Sequence, residues 1–219
     1  LSADGQVMVI HDQTVDRTTA SHGRVRELRL PELRRLDAGS HFDVSFRGES
    51  IPTLDEVLRA VGRLTVINIE LTNYASPTDR LPEKTAELVR HYRLQQRVFF
   101  SSFNPLALLR IRRLVPEAPV GLLALPGKAG WPARGWPGRL LRCQALHVAL
   151  PDASEKLARR AHARRVKLLV YTVNREEDMQ RLFEWGVDGI FTDDPLLARA
   201  VLRRMRPPSN ESGRKVKPS

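Results

Sequence analysis

Two side chains with catalytic potential stand at the ends of short apolar runs. His11 ends the run that begins at Gln6, and an imidazole at such a position can take up and release a proton near neutral pH. Glu70 follows the apolar run that begins at Leu64, where burying an unpaired carboxylate would be costly. Each residue also has a structural interpretation, as a hydrogen-bonded loop histidine and as a carboxylate paired with an arginine.

The elements that would position these residues alternate between apolar runs and longer stretches of helical periodicity. This alternation is typical of βα units and predicts an α/β fold with a mainly parallel sheet. The predicted strands are Gln6 to His11, Leu64 to Leu71, Val98 to Ser102, Val120 to Leu125, Ala145 to Leu150, Lys167 to Val173 and Gly189 to Thr192.

Capping patterns predict where two of the helices begin. Thr53 and Glu56 have the spacing of a capping box, and the apolar stripe that follows extends to Val61. Asn174 is a suitable N-cap for a second helix, which Gly186 is placed to end.

Proline and aspartate mark the remaining boundaries. Pro105 suits the first turn of a helix that ends near Val115, and Asp193 is the expected cap of a closing helix from Leu196 to Met205. The charged and turn-rich stretch from Asp12 to Ile51 breaks the βα rhythm, and we interpret it as an insertion.

Composition limits the class of protein. A chain of 219 residues favours one domain, which we place at residues 1–206, followed by a disordered basic tail at 207–219. No apolar run is long enough for a transmembrane segment. The single Cys143 cannot form an internal disulfide, so the cytoplasm is the expected location.

The formal net charge of +11 raises the question of nucleic acid. Much of the excess lies in the stretch from Arg203 to Ser219, and most other arginines fall in helical segments, where a solvated outer face explains them. The sequence contains no recognised nucleic-acid module, and we expect no specific nucleic-acid partner. Positive charge would favour any anionic substrate.

Six short motifs, taken in order, resemble the pattern of the glycerophosphodiester phosphodiesterase family. Each is weak alone, but their order and spacing together are specific, and the resemblance extends from about Leu1 to Ala200. The motifs are Asp4-Gly5 with Val7-Met-Val-Ile-His-Asp12, Ile51-Pro-Thr-Leu-Asp-Glu-Val-Leu58, Asn68-Ile-Glu70, Ser101-Ser-Phe103, Tyr171-Thr-Val-Asn174 and Gly186-Val-Asp-Gly-Ile-Phe-Thr-Asp193.

The resemblance implies a TIM (β/α)8 barrel of the phosphodiesterase type. The family pattern begins with a His-Arg-Gly strand, a helix, and a strand that carries Glu-x-Asp just before the Asp-Gly turn. This sequence opens at that turn, so we expect the first strand-helix unit to lie upstream of Leu1. The first catalytic histidine and two metal-binding carboxylates would lie there with it.

The resemblance also implies roles for residues that are present. His11 matches the second catalytic histidine, a general acid and base, and Glu70 matches a ligand of a divalent cation, either Ca²⁺ or Mg²⁺. Phe103 and Tyr171 match aromatic residues near the substrate. Thr72 stands where the family usually has a lysine, so either another basic residue replaces that cation or the activity differs.

The implied function is hydrolysis of a glycerophosphodiester to glycerol 3-phosphate and an alcohol, within lipid and glycerol metabolism. Cleavage of a lysophospholipid is a close alternative. An incomplete or noncatalytic barrel that only binds phosphodiesters or other anions is a second class, supported by the missing upstream ligands and by Thr72.

Overall fold

A computed structural model describes residues 1–74, 76, 78–135, 138 and 140–205. The described residues divide into two compact units. Unit 1 comprises those within 1–123 and 138–143, and unit 2 comprises those within 124–137 and 144–219. The predicted tail at 207–219 lies outside the described residues.

Unit 1 contains three parallel strands in the order β1-β2-β3, with helices between them. Phe100 on the central strand is fully buried, as are Leu108 and Ile111 on the helix that follows, so the sheet and helices share one apolar core. The strands are β1 (Ile67–Glu70), β2 (Val98–Ser102) and β3 (Val120–Leu123), and the helices are α1 (Leu30–Leu33), α2 (Leu54–Val61), α3 (Leu81–His91) and α4 (Pro105–Leu114).

The predicted capping box of unit 1 is confirmed, and the helix predicted to begin at Pro105 has a cap as well. The Thr53 hydroxyl accepts a hydrogen bond from the Glu56 amide, and the Glu56 carboxylate accepts one from the Thr53 amide at 2.8 Å. Asn104 caps α4 by accepting a hydrogen bond from the Leu106 amide at 3.0 Å. These bonds satisfy amide groups that an α-helix leaves without partners, which fixes where each helix begins.

The predicted insertion is a distinct substructure within unit 1. It contains two short 3₁₀ turns, Val25–Glu27 and Val44–Phe46, besides α1. Its buried side chains form a small core of their own, consisting of Val15, Val25, Leu33 and Ile51. The charged stretch therefore folds around local apolar contacts.

The prediction of a strand from Gln6 to His11 is wrong. In this stretch Met8 forms an isolated antiparallel bridge to Thr53, and Val9 donates a hydrogen bond to the Pro52 carbonyl at 2.9 Å. A strand requires a hydrogen-bonded ladder beside it, and the described residues provide this segment with only a short contact.

Unit 2 contains three parallel strands in the order β4-β5-β6. Val148, Leu168, Val170 and Leu182 are fully buried in its core. The strands are β4 (Ala145–Ala149), β5 (Lys167–Tyr171) and β6 (Gly189–Ile190); the helices are α5 (Trp131–Arg134), α6 (Glu155–His162), α7 (Glu176–Glu184) and α8 (Pro195–Met205), with 3₁₀ turns at Gly127–Gly130 and Leu150–Asp152.

Two predicted caps in unit 2 are wrong. Arg175 is the N-cap of α7, because the Asn174 side chain is engaged with the Asp193 carboxylate at 2.6 Å and with the Thr192 hydroxyl at 3.2 Å. With Asp193 held in this way, the Asp194 carboxylate caps α8 by accepting a hydrogen bond from the Leu197 amide at 2.9 Å. Side-chain competition thus moves both caps by one residue.

Asp188, in the loop before β6, links that loop to the end of α6 and the start of β5. Its carboxylate accepts hydrogen bonds from the Lys167 ammonium and the Leu168 amide, each at 2.9 Å, and lies 2.8 Å from His162 Nε2. Burial alone would raise the pKa of Asp188, but these contacts outweigh it and hold the pKa below its ordinary value.

We expect Asp188→Asn to lower the free energy of unfolding by about 1–3 kcal/mol, since a charge-assisted network is lost. Because the folded pKa is depressed, this contribution is present above the ordinary value of 3.8 and disappears as the pH falls below it. Thermal unfolding as a function of pH measures both effects. Glu177→Gln, which removes an exposed pair with Arg175, is the control and should change little. Equal stability of the two variants at neutral pH would contradict the assignment.

No helix among the described residues is both long enough and apolar enough to span a bilayer.

Candidate active site

A cavity of about 610 Å³ lies in unit 1 beside β1. Much of its wall is apolar, including Val9, Ile10 and Val57, and this wall extends from the segment before the insertion to α2 and β1. Polar groups of functional interest also line it, namely His11, Asp12, Arg24, Arg26, Glu70 and Thr72. The structure therefore brings His11 and Glu70, which are distant in sequence, to one cavity.

His11 forms part of a chain of three side chains. Its Nδ1 lies 2.7 Å from Asp12 Oδ1, and Arg17 donates to the same carboxylate, with Nε 2.7 Å from Oδ2 and Nη2 3.2 Å from Oδ1. The carboxylate orients the ring through Nδ1 and leaves Nε2 for proton exchange. The ring is well exposed, with 85% of its side-chain surface accessible.

Asp12 remains ionised in this arrangement. The hydrogen bonds from Arg17, followed by the contact with His11, lower its pKa to about 2. A carboxylate that is negative throughout the neutral range can stabilise a protonated imidazole, so Asp12 can assist either protonation state of His11. Its carboxylate therefore contacts the His11 ring.

Glu70 lies at the carboxyl end of β1, where its side chain meets Tyr74. The Tyr74 hydroxyl donates a hydrogen bond to Glu70 Oε1 at 2.7 Å. Burial and then this hydrogen bond raise the pKa of Tyr74 well above its ordinary value, so the phenol remains a donor. Glu70 therefore has a tyrosine partner, where the structural interpretation of the sequence had suggested an arginine.

Phe103 supports the same group from the end of β2. Its ring packs edge-on against Tyr74, with centroids 5.7 Å apart and planes at 78°. Neighbouring Asn68 is held by the Ser101 hydroxyl, which donates to its Oδ1 at 3.0 Å. Phe103 thus contacts the residue that orients Glu70.

Tyr171 belongs to unit 2, where it ends β5. Its hydroxyl donates a hydrogen bond to the Ala124 carbonyl at 2.5 Å. This bond fixes the side chain within unit 2, and the substrate role implied by the resemblance stays a prediction.

Four residues of this region escaped the sequence argument. Arg17 and Tyr74 orient the two candidate catalytic groups. Arg24 and Arg26 line the cavity, where Thr72 stands in the position of the family lysine, and the guanidinium groups of both arginines lie within 4.0 Å of Glu27. Their sequence neighbourhoods show no periodicity. The one signal that the sequence offered was the short separation along the chain between Arg17 and the His11-Asp12 pair.

The described residues fit a divalent cation only in part. Glu70 offers the hard carboxylate oxygen that Ca²⁺ and Mg²⁺ prefer. Among the described residues, no group of three histidine, cysteine, aspartate or glutamate side chains comes together to hold a metal. The described part of the chain thus supplies one suitable ligand and needs further ones.

Parallel βα units with a glutamate at the carboxyl end of β1 define an α/β protein, and enzymes of the barrel class carry their active sites at the carboxyl ends of such strands. The sequence model of the glycerophosphoryl diester phosphodiesterase family matches residues 1–197. The chain belongs to this family of phosphoric diester hydrolases, and the resemblance read from the six motifs is confirmed.

Individual relatives agree with this assignment. A glycerophosphodiester phosphodiesterase of Caldanaerobacter subterraneus subsp. tengcongensis is 38% identical over 197 residues, which cover 89% of this chain and 79% of the relative.

Solved structures show the same relationship. An Oleispira antarctica phosphodiesterase in complex with the product sn-glycerol-3-phosphate is 30% identical, with a TM-score of 0.77 over 93% of this chain and 82% of that one. A glycerophosphodiester phosphodiesterase from Agrobacterium tumefaciens is 26% identical, with a TM-score of 0.75 over 91% and 83%.

Proposed function

We propose that this chain carries the catalytic residues for hydrolysis of glycerophosphodiesters to glycerol 3-phosphate and an alcohol. The observation that carries the proposal is the shared cavity of His11 and Glu70, two residues that the family motifs single out. The product bound to the Oleispira relative supports the choice of substrate class.

His11 would move protons in this reaction. Water attacks phosphorus while a base accepts its proton, and the departing alkoxide requires a proton in turn. Asp12 holds the ring through Nδ1, so Nε2 is the atom that would exchange the proton. Arg24 and Arg26 are the candidates for binding the anionic phosphate in place of the lysine that Thr72 replaces.

A divalent cation, Ca²⁺ or Mg²⁺, would supply charge neutralisation at the phosphate oxygens when bound. Glu70 would be one of its ligands, oriented by the Tyr74 hydroxyl. The other ligands must come from outside the described set, and the family pattern points to the Glu-x-Asp strand.

The edge of β1 supports a further strand-helix-strand segment in the working enzyme. Among the described strands, β1 pairs with β2 alone, and the cavity with its apolar wall lies beside it. An apolar groove along a free sheet edge suits an added strand. We propose that a segment with two strands, added to the six described strands, completes a (β/α)8 barrel.

Residues 1–206 would then form one catalytic domain with the insertion at about 12–51, followed by the basic tail at 207–219. The family match over residues 1–197, which spans both units, supports this division. We also propose a cytoplasmic location, since the lone Cys143 gives no sign of an oxidising compartment.

Two alternatives follow from particular observations. The apolar cavity wall favours a lysophospholipid, whose acyl chain could lie along it. The incomplete ligand set favours a module that binds phosphodiesters or other anions without cleaving them. Hydrolysis of glycerophosphocholine and of lysophosphatidylcholine, each measured by the release of choline with and without Ca²⁺ or Mg²⁺, distinguishes the three functions. Binding of a substrate without choline release would indicate the binding module. The proposal fails if neither substrate is cleaved by the chain supplied with the added unit.

We expect Glu70→Gln, in the chain supplied with that unit, to raise the metal concentration for half-maximal binding about tenfold or more, because one anionic ligand is lost. Activity should partly recover at high Ca²⁺ or Mg²⁺. Titration calorimetry measures the binding directly. Glu87→Gln, an exposed change on α3, is the control. An unchanged titration for Glu70→Gln would assign the residue to a structural hydrogen bond with Tyr74.

A further inference from the structure

One face of unit 1 carries a concentration of exposed arginines. This arginine face consists of residues 63–66, 90–97, 112–119 and 140–143, which lie before the amino ends of the strands or at the ends of helices. One acidic residue, Glu117, falls within these segments. The exposed arginines are Arg63, Arg90, Arg93, Arg97, Arg113 and Arg142.

Hydrogen bonds join the four segments into one continuous surface. The Arg97 guanidinium donates to the Arg63 carbonyl at 3.0 Å, and the Arg90 guanidinium donates to the Leu114 carbonyl. Arg112 donates to the Leu141 carbonyl at 2.6 Å, which attaches residues 140–143. The segments that carry the arginines are therefore adjacent in space.

Among the residues that the structure describes, these six side chains have no carboxylate partner close by. Within the described residues, none of the six lies within 4.0 Å of a carboxylate oxygen. By contrast, Arg17, Arg59 and Arg110 each form an ion pair. A cluster of like charges without local compensation favours an anionic partner.

Exposed aliphatic side chains lie among the arginines. Leu64 is 78% exposed, Val66 62% and Leu140 66%, although residues of this type are usually buried. Basic and aliphatic side chains together are typical of surfaces that bind lipid, where the cations meet headgroups and the apolar groups enter the acyl boundary. A surface for single-stranded nucleic acid would instead present aromatic stacking groups. Here Tyr92 is partly buried and donates to Asp55 at 2.8 Å.

We propose that the arginine face docks this protein on an anionic lipid surface. Such an arrangement places the carboxyl end of β1, with Glu70, on the side of unit 1 away from the lipid. The cavity would then face the aqueous phase while the enzyme stays near the membranes that supply its phosphodiester substrates. This docking is separate from catalysis, so its test does not depend on the proposed hydrolysis.

The experiment is cosedimentation with phosphatidylcholine vesicles, with and without phosphatidylserine. Arg63→Gln combined with Arg93→Gln should weaken binding to the phosphatidylserine vesicles about thirtyfold, from about 1 kcal/mol per basic residue near such a surface. The matched control is Arg35→Gln combined with Arg47→Gln, two exposed arginines of the insertion that are also outside ion pairs. Both double variants lose the same charge and keep the basic residues of 206–219, so the control should bind almost normally.

The variant Leu64→Ser distinguishes binding to lipid from binding to nucleic acid. It should weaken vesicle binding while leaving binding of a single-stranded oligonucleotide unchanged, because a serine removes apolar insertion and no charge. Thermal unfolding verifies that each variant is folded. The proposal is overturned if both double variants weaken vesicle binding equally, or if the unmodified chain does not bind phosphatidylserine vesicles. It is also overturned if Leu64→Ser weakens oligonucleotide binding and leaves vesicle binding unchanged.

Discussion

Release of glycerol 3-phosphate from glycerophosphocholine should rise by at least about a hundredfold when a strand-helix-strand segment with His-Arg-Gly and Glu-x-Asp is joined before Leu1, since a proton-transfer group alone contributes that much. Residues 1–219 alone should show little or no metal-dependent turnover. The physical reason is the incomplete metal site, because Glu70, Asp12 and Asp79 line the cavity but no three potential ligands among the described residues come together to hold a metal.

The same addition should stabilise the protein. A new strand beside β1 would pair the free edge, and its apolar side chains would cover the cavity wall formed in part by Val9 and Val57. We therefore expect the melting temperature and the turnover to rise together. Thermal unfolding and product release, each measured on the two lengths of chain, test the two effects.

A matched segment separates folding from chemistry. If its histidine and both carboxylates are replaced by alanine, the added segment should still raise the melting temperature but should not restore turnover. Robust metal-dependent turnover by residues 1–219 alone would show that their own side chains complete the site. The proposed strand-helix unit would then be unnecessary for catalysis.

Local sequence patterns predicted much of the fold because they act over short distances. The Thr53-Glu56 capping box and Pro105 in the first turn of α4 depend on residues within one turn, and both are present. Strands β2 and β5 begin at the predicted Val98 and Lys167 because their apolar runs pair with neighbouring strands.

Predictions failed where a residue had competing partners. Asn174 was a sound N-cap by type, but Asp193, nineteen positions later, engages its side chain. Gln6 to His11 has the apolar pattern of a strand, yet a strand also depends on what lies beside it. Neither outcome can be read from a local window of sequence.

The candidate site divides in the same way. His11 and Glu70 were identified because motifs carried them, and the structure places both at one cavity. Tyr74 and Arg17 were missed because their roles depend on loop paths that no periodicity encodes. The same loop paths bring Arg24 to the cavity wall, near a site where Thr72 stands in the position of the family lysine.

His11→Ala should lower turnover by about a hundredfold or more, because a positioned proton-transfer group typically contributes 10²–10⁴-fold. The measurement is the rate of glycerol 3-phosphate release at saturating substrate, in the chain supplied with the added unit. Stability should change little, since the ring is 85% exposed and its contact with Asp12 lies at the surface.

His22 provides a closely matched control. Its ring is also 85% exposed, and its Nδ1 lies 3.1 Å from an aspartate, Asp16, within the same insertion. His22→Ala removes the same chemical group from the same kind of contact, but His22 does not line the cavity. We therefore expect His22→Ala to keep near-normal turnover.

Asp12→Asn tests how the ring is used. The amide keeps a polar contact with Nδ1 but loses the negative charge that stabilises a protonated ring, so turnover should fall by less than in His11→Ala, with the pH profile altered. If folded His11→Ala retains near-normal turnover, or if His22→Ala loses as much, the proton passes through another group and the cavity placement of His11 carries no catalytic role.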